Sequence, residues 1–147
     1  MSWAGKRILP AALRSLFRKK EQAPSSPVRA LTPEAVERVS KRLQAWVYGR
    51  GYCLPDRTPH ESAARMGVDF PTLHQYCLQH LGVDFRSFRA RLRIRDAQQQ
   101  MLAEPNTPTA AIARRVGYQD RSNFSRHFKE ITGQTPDNWR KGQTPRP

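Results

Sequence analysis

The segment Gly117–Pro136, "GYQDRSNFSRHFKEITGQTP", decides how the rest of the chain is read. A turn stands at its front, a helical pattern fills its middle, and Gly133 stops it. Asp120 sits where an N-cap belongs, its carboxylate able to accept from the free N–H groups of a first helical turn. At 3.6 residues per turn, Phe124, Phe128 and Ile131 share one narrow arc, which is expected to be core. The opposite arc holds Ser122, Arg126 and Lys129, flanked by Asn123 and Ser125, and Arg121 leaves the first turn. A solvated helix side would also be polar, but these donors are concentrated in the first two turns. Arginine pairs with guanine, asparagine with adenine and serine with either, while a lysine such as Lys129 suits a phosphate. The outward face therefore reads as a base-reading surface.

The pattern occurs twice. Laid over Ile112–Trp139, the segment Ser62–Phe88 places Ala63, Met66 and Gly67 on Ala113, Val116 and Gly117. After one extra residue in the second turn, Leu73, Cys77 and Gly82 fall on Phe124, Phe128 and Gly133, and Phe88 falls on Trp139. Each copy is a short helix, a turn containing glycine and a second helix, the helix-turn-helix arrangement whose second helix can enter the major groove. One such match is a weak signal, because helical hairpins are common; two at a constant offset in a basic chain are much stronger.

The chain is basic throughout. Its 147 residues carry 26 Lys plus Arg against 12 Asp plus Glu, a formal charge of +14. Such a surplus favours an anionic partner, nucleic acid or a membrane face, over a soluble protein without one. Cys53 and Cys77 cannot build a disulfide framework, and a reducing cytosol fits them. No apolar run approaches the ~20 residues of a membrane span, and "ILPAAL", broken by Arg14, is too short for a signal peptide. Residues 1–31 differ from the rest: Lys6, Arg7, Arg14, Arg18, Lys19, Lys20 and Arg29 face the single acid Glu21. They read as a basic extension ending in the linker "QAPSSPVRA", with a short amphipathic helix over residues 11–20 as an alternative to a frayed tail.

The ordered part begins at Thr32, an N-cap followed by Pro33 and Glu34, and its first helix carries the stripe Val36, Val39, Leu43, Trp46 and Val47, ended by Gly49–Gly51. Thr58 and Pro59 repeat the start, with Ala63, Ala64 and Met66 inward. Asp69 caps the next helix, with Leu73, Tyr76, Cys77 and Leu81 inward and Gly82 as its stop. A longer helix runs from near Asp84 to Ala103; a second short pair follows, and "TPDNWRK" starts a last short helix. Nothing alternates like a strand, so the fold is expected to be all-α with about seven helices. Trp46, Leu73, Phe88, Leu92, Ile112, Phe124, Phe128 and Trp139 are the expected core.

The stretch "AAIARRVGYQDRSNFSRHFKEITGQTPDNWRK" resembles the C-terminal DNA-binding domain of AraC/XylS-type bacterial transcription regulators. The features that carry the resemblance are Ile112-Ala113, Val116-Gly117-Tyr118, Asp120, Ser122, Phe124-Ser125-Arg126, Phe128-Lys129, Gly133, Thr135-Pro136 and Arg140. Upstream, Gly82, Phe85, Phe88, Arg93 and Ala97 resemble the family's linking helix, so that residues 32 to about 141 are covered. The resemblance implies two homeodomain-like, three-helix helix-turn-helix subdomains, 32–83 and 105–142, joined by a linking helix at 84–104, with a tail at 143–147. It implies base reading by Arg121, Ser122, Asn123, Ser125 and Arg126, and, in the first copy, by Pro71, Thr72, His74 and Gln75. Lys129, Arg86, Arg114 and Arg115 are the expected phosphate contacts. The implied partner is double-stranded DNA at bacterial promoters, with RNA polymerase as a further partner, in a cytoplasmic, nucleoid-associated protein that is not an enzyme and needs no cofactor. Many members carry a large effector-binding or dimerising domain; the 31-residue extension is no such domain, so the chain resembles short members that bind as monomers.

The first copy departs from the family pattern. Gln75 stands where arginine is common, Leu78 where a basic residue is usual, Cys77 where a core phenylalanine is usual, and Arg89 replaces an apolar residue. The arc of Pro71, Gln75 and Leu78 carries no charge, and Phe to Cys removes apolar area worth about 1–3 kcal/mol if the gap stays open. The second unit is thus expected to carry more of the DNA contact. The rival reading is a protein-interaction module whose first subdomain no longer reads DNA; a membrane-surface role for residues 6–20 is another. His74, Cys77 and His80 share a spacing of three on one helix, but Cys77 lies on the core arc and a fourth ligand is lacking, so no metal is expected.

Overall fold

A computed structural model describes residues 30–143; the anticipated helix over residues 11–20 lies outside them. The described residues form seven α-helices and no strand: α1 (Pro33–Tyr48), α2 (Pro59–Met66), α3 (Phe70–Tyr76), α4 (Phe85–Ala103), α5 (Thr109–Arg115), α6 (Arg121–Thr132) and α7 (Pro136–Gln143). A 3₁₀ turn lies at Gly51–Cys53, and α3 continues as a π-helical turn over Cys77–Leu81. No described helix is long and apolar enough to cross a membrane.

The helix starts follow from local chemistry. Thr32 accepts from the Ala35 N–H ahead of Pro33. Thr58 and Glu61 form a reciprocal capping box, and the Asp69 carboxylate accepts from the Thr72 N–H at 3.0 Å. Asp84 accepts from the Ser87 N–H at 2.8 Å and so starts α4. Each such cap contributes about 1 kcal/mol by satisfying an N–H that the helix cannot. At the end of α1 the left-handed residue is Arg50, φ 57°, rather than a glycine.

The described residues divide into two compact units. In the first, α1 to α3 and the opening turn of α4 enclose Val39, Leu43, Leu73, Tyr76, Cys77, Phe85 and Phe88, all fully buried. Trp46 packs its ring 5.3 Å from Phe85. Asp56, 6% exposed, accepts from Ser62 Oγ at 3.0 Å and Arg65 Nε at 2.8 Å, which satisfies a carboxylate that burial would otherwise penalise. Ala64, expected inward, is exposed: it lies one position past the buried pair Ser62 and Ala63, on the far side of a helix only eight residues long. Val36 is half-buried, at the outer end of its stripe.

The second unit comprises Tyr52–Pro55 and the chain from Arg89 onward. Its core holds Ile94, Ala97, Met101, Ile112, Ala113, Val116, Tyr118, Phe124 and Phe128, with Cys53 and Trp139 packed against it partly buried. Trp139, expected in the core, closes the core's edge instead, its ring edge-on to Phe128 at 5.9 Å. Arg93, 6% exposed, donates from Nε to the Tyr52 carbonyl at 2.6 Å and from Nη2 to that of Leu54 at 2.8 Å, and its guanidinium lies 5.4 Å from the centre of the Tyr118 ring. Tyr52 Oη donates to Asp96 at 2.8 Å. Residues 52–55 are thereby tied to α4 by charged hydrogen bonds, each stronger than a neutral one.

The repeat holds position by position within each unit. Ala63 and Ala113, Met66 and Val116, Leu73 and Phe124, and Cys77 and Phe128 are buried pairs, whereas Phe88 with Trp139 and Gly67 with Gly117 differ in depth. The turn glycines Gly67 and Gly117 both have positive φ, 71° and 106°. Each has an arginine where a side chain would be: a Cβ on Gly67 would lie 2.6 Å from Arg42 Nη1, and one on Gly117 2.9 Å from Arg93 Nε. Glycine is required twice over at these turns, for its conformation and for the space.

Candidate nucleic-acid interface

Helix α6 is oriented by its apolar side. Phe124 and Phe128 are fully buried, their rings 5.7 Å apart, and each contributes about 1.5–3 kcal/mol through burial. Ile131, placed on the same arc by periodicity, is 40% exposed, because the arc runs past the edge of the core in the helix's last turn. Asp120 fixes the start by accepting from the Ser122 N–H at 2.8 Å. Arg121, Ser122, Asn123, Arg126 and Lys129 are exposed, and Ser125 is half-buried.

Three of these side chains already form a chain of hydrogen bonds along the outward face. Asn123 Nδ2 donates to Asp120 at 3.4 Å, and Arg126 Nη2 donates to Asn123 Oδ1 at 3.0 Å. Arg126 is thus tied to the first turn of the helix, with donors left over for a ligand. Behind it, the Tyr118 hydroxyl lies 2.7 Å from His127 Nδ1. Burial first of all pushes the Tyr118 phenol up to about 12, so it keeps its proton and donates. Burial, assisted by the Arg126 charge, lowers the pKa of His127, so the neutral imidazole accepts. Sequence reasoning missed this pair, since nothing in the spacing marks residues nine apart as partners.

The expected phosphate contacts are not equivalent. Lys129, Arg86 and Arg114 are exposed. Arg115 is exposed too, but its Nη1 lies 2.7 Å from Glu104 Oε2 and 3.4 Å from Gln100 Oε1. The Arg115 hydrogen bond, with a second from Thr107, holds the Glu104 carboxyl below the usual range.

The first copy places its candidates differently. Pro71 is exposed, while Thr72, His74 and Gln75 are half-buried. The Thr72 hydroxyl donates to Asp69 at 2.6 Å and serves the cap. His74 stacks on Phe70 at 5.7 Å, and Phe70 in turn lies 4.1 Å from the His60 ring. Gln75 Nε2 is enclosed with no hydrogen-bond partner among the described residues, whereas Arg126, its match in the repeat, is exposed. Cys77 is fully buried, and burial pushes its thiol pKa well up. The neighbouring His80 stacks on Tyr76 at 4.9 Å.

The sequence and the fold have counterparts among known proteins. A helix-turn-helix domain family matches residues 62–142. The arabinose operon regulatory proteins of Salmonella typhimurium and Escherichia coli are each 39% identical to this chain over 64 residues, 44% of this chain and 22% of theirs. The raffinose operon transcriptional regulatory protein RafR of Pediococcus pentosaceus is 36% identical over 62 residues, 42% of this chain and 22% of its own. The match thus spans about a fifth of those relatives' length. Among solved structures, the C-terminal domain of AraT, a response regulator from Geobacillus stearothermophilus, superposes with a TM-score of 0.63 at 27% identity over 80% of this chain and 92% of that one. A Listeria innocua protein of unknown function shares the fold, with a TM-score of 0.63 at 22% identity over 71% of this chain and 96% of that one. With more than half of its length matched by the helix-turn-helix family and regulators of that kind among its relatives, the chain belongs to the AraC/XylS-type helix-turn-helix family.

Proposed function

We propose that the chain is a sequence-specific, double-stranded-DNA-binding transcription regulator acting at bacterial promoters, and that α6 is its principal base reader. The observation that carries this is the two-sidedness of α6. Phe124 and Phe128 are fully buried, and the exposed side presents Arg121, Ser122, Asn123 and Arg126 with Lys129 behind them. A guanidinium and an amide at the start of a capped helix are the donor sets that read guanine and adenine edges, and Lys129 one turn on suits a phosphate. Arg114 and Arg86 serve as further phosphate contacts, whereas Arg115 is engaged by Glu104. In the first copy, Pro71, Thr72, His74 and Gln75 face the same task without a lysine or arginine and contribute less.

Two helix-turn-helix units in one chain supply what a dimer of single units supplies elsewhere, so one copy acts on each site. RNA polymerase is the partner that a role at promoters calls for, and the setting is the bacterial cytoplasm. The reading calls for neither catalysis nor a cofactor. Selection of bound sequences from random duplex DNA tests it: a defined motif is expected, and Lys129→Ala should weaken binding to motif and scrambled duplex alike. Recovery of unrelated sequences would refute the reading.

A further inference from the structure

We propose that helix α1 supplies the first unit's hold on the DNA backbone, through a phosphate-binding ridge of Arg38 and Arg42, supported by Lys41, beside the turn between α2 and α3. The proposal rests on the duplex-binding reading above. A duplex partner is held mainly by cations that neutralise its phosphates, and its affinity falls with salt in proportion to their number. Helix α3 has no Lys or Arg between Phe70 and Tyr76, and its cap, Asp69, is an acid. At this turn Arg65 of α2 is paired with Asp56, and the cations outside an ion pair come from α1.

Arg42 Nη1 donates to the Met66 carbonyl at 3.0 Å, so the guanidinium lies against the last turn of α2. It occupies the space that Gly67 leaves open, since a Cβ there would lie 2.6 Å from that nitrogen. A guanidinium has five N–H donors and this contact uses one. Arg38 stands one turn earlier on the same face, and its charge reaches the cap of α3: hydrogen bonds from Thr72 lower the Asp69 pKa first, and Arg38 adds to them. Both arginines are exposed, and neither forms an ion pair among the described residues. With Lys41, Glu34 and Glu37 they line a shallow depression of the surface. Glu37 faces Lys41 at 3.0 Å, and Glu34 sits in the first turn, where the helix dipole favours it.

The second unit uses the arginine at its own turn glycine otherwise. Arg93 is 6% exposed and donates to the Tyr52 and Leu54 carbonyls, so it has no reach to a phosphate. The arginine against the turn glycine is thus an internal clamp in one unit and an outward cation in the other. In a helix-turn-helix the helix before the reading helix crosses the backbone, and Arg42 lies against the last turn of that helix.

The test uses the full chain, the selected duplex and a scrambled duplex, with dissociation constants measured over a salt series. Arg38→Gln with Arg42→Gln should reduce the slope of log K against log [salt] by about two units, near 0.9 for each phosphate no longer neutralised. Affinity for both duplexes should fall together, leaving their ratio unchanged. Arg38→Gln alone, which removes no hydrogen bond inside the fold, should reduce the slope by about one. Arg42→Lys should keep it. Unchanged slopes in both glutamine variants, while Arg126→Ala still loses affinity for the selected duplex, would overturn the ridge and leave the base-reading account standing. A changed ratio would also overturn it, because base contact would then be at work. If the unaltered chain does not distinguish the two duplexes, the duplex-binding reading itself fails.

Discussion

Replacing each turn glycine by alanine separates backbone strain from the filling of space. Gly67 and Gly117 both carry positive φ, so Gly67→Ala and Gly117→Ala each introduce a strain of about 1–2 kcal/mol. The stiffening of the unfolded chain offsets part of this equally in both. The neighbours differ. At Gly67 the new methyl meets Arg42 Nη1, the far end of a long, exposed side chain that can swing aside; doing so gives up its hydrogen bond to the Met66 carbonyl, which water at the exposed guanidinium largely replaces. At Gly117 it lies 2.9 Å from the Tyr52 carbonyl oxygen and 2.9 Å from Arg93 Nε, two groups bonded to each other at 2.6 Å. Making room there means parting a partly buried, charge-assisted hydrogen bond worth about 1.5–3 kcal/mol. Gly67→Ala should therefore cost about 1–2 kcal/mol and Gly117→Ala about 2.5–5 kcal/mol, as the sum of strain and the broken hydrogen bond. Urea denaturation followed by far-ultraviolet circular dichroism measures both. Equal costs at the two glycines would refute the claim that residues 52–55 and Arg93 brace the turn that launches α6.

Other outcomes follow from the same packing. Phe128→Ala should cost about 3–5 kcal/mol, since it removes a fully buried ring packed on Phe124 and Trp139; an unmoved denaturation midpoint would mean that α6 faces the other way. Acid should weaken the fold in the histidine range. Burial lowers the folded-state pKa of His127 and of His80, so below the unfolded value of about 6.5 the unfolded chain binds more protons. Stability is then complete above that pH and falls as pH drops through the window beneath it. The melting temperature should be lower at pH 5.5 than at pH 7.5, and His127→Gln with His80→Gln should flatten the difference; Asp69 and Glu104, both lowered from ordinary carboxylate values, titrate below this window.

Much of the fold was legible because its causes are local. Thr32, Thr58, Asp69 and Asp120 cap helices by reaching two or three residues along the chain, and a sequence displays such partners side by side. The buried faces of α1 and α6 were legible from period alone. Period gives the direction of a side chain but not the extent of what it packs against. Hence Ile131, in the last turn of α6, is less buried than its spacing implies, Trp139 is less buried than its match Phe88 in the repeat, and Ala64 is exposed. The candidate interface was legible on α6, where every donor sits on one capped helix. It was not legible where the partner is remote. Arg115 meets Glu104 eleven residues back, Arg93 reaches Tyr52 across forty-one, and Arg42 reaches Met66 across twenty-four. No spacing rule ties such pairs, and the enclosure of the Gln75 amide likewise depends on neighbours that only the folded chain supplies.

The central claim is that the two reading helices are unequal, and one comparison tests it most directly. Arg126 is an exposed guanidinium held over the start of α6 by Asn123, whereas Gln75, its match, is a half-buried neutral amide whose nitrogen is enclosed. Affinity of Arg126→Ala and of Gln75→Ala should be measured for the selected duplex and for a scrambled one, at two salt concentrations. Arg126→Ala should lose about 1–3 kcal/mol on the selected duplex and relax preference at a base pair or two. Gln75→Ala should lose distinctly less, since a neutral amide bonds more weakly than a guanidinium. A loss of specific affinity in Gln75→Ala as large as that in Arg126→Ala would contradict the account.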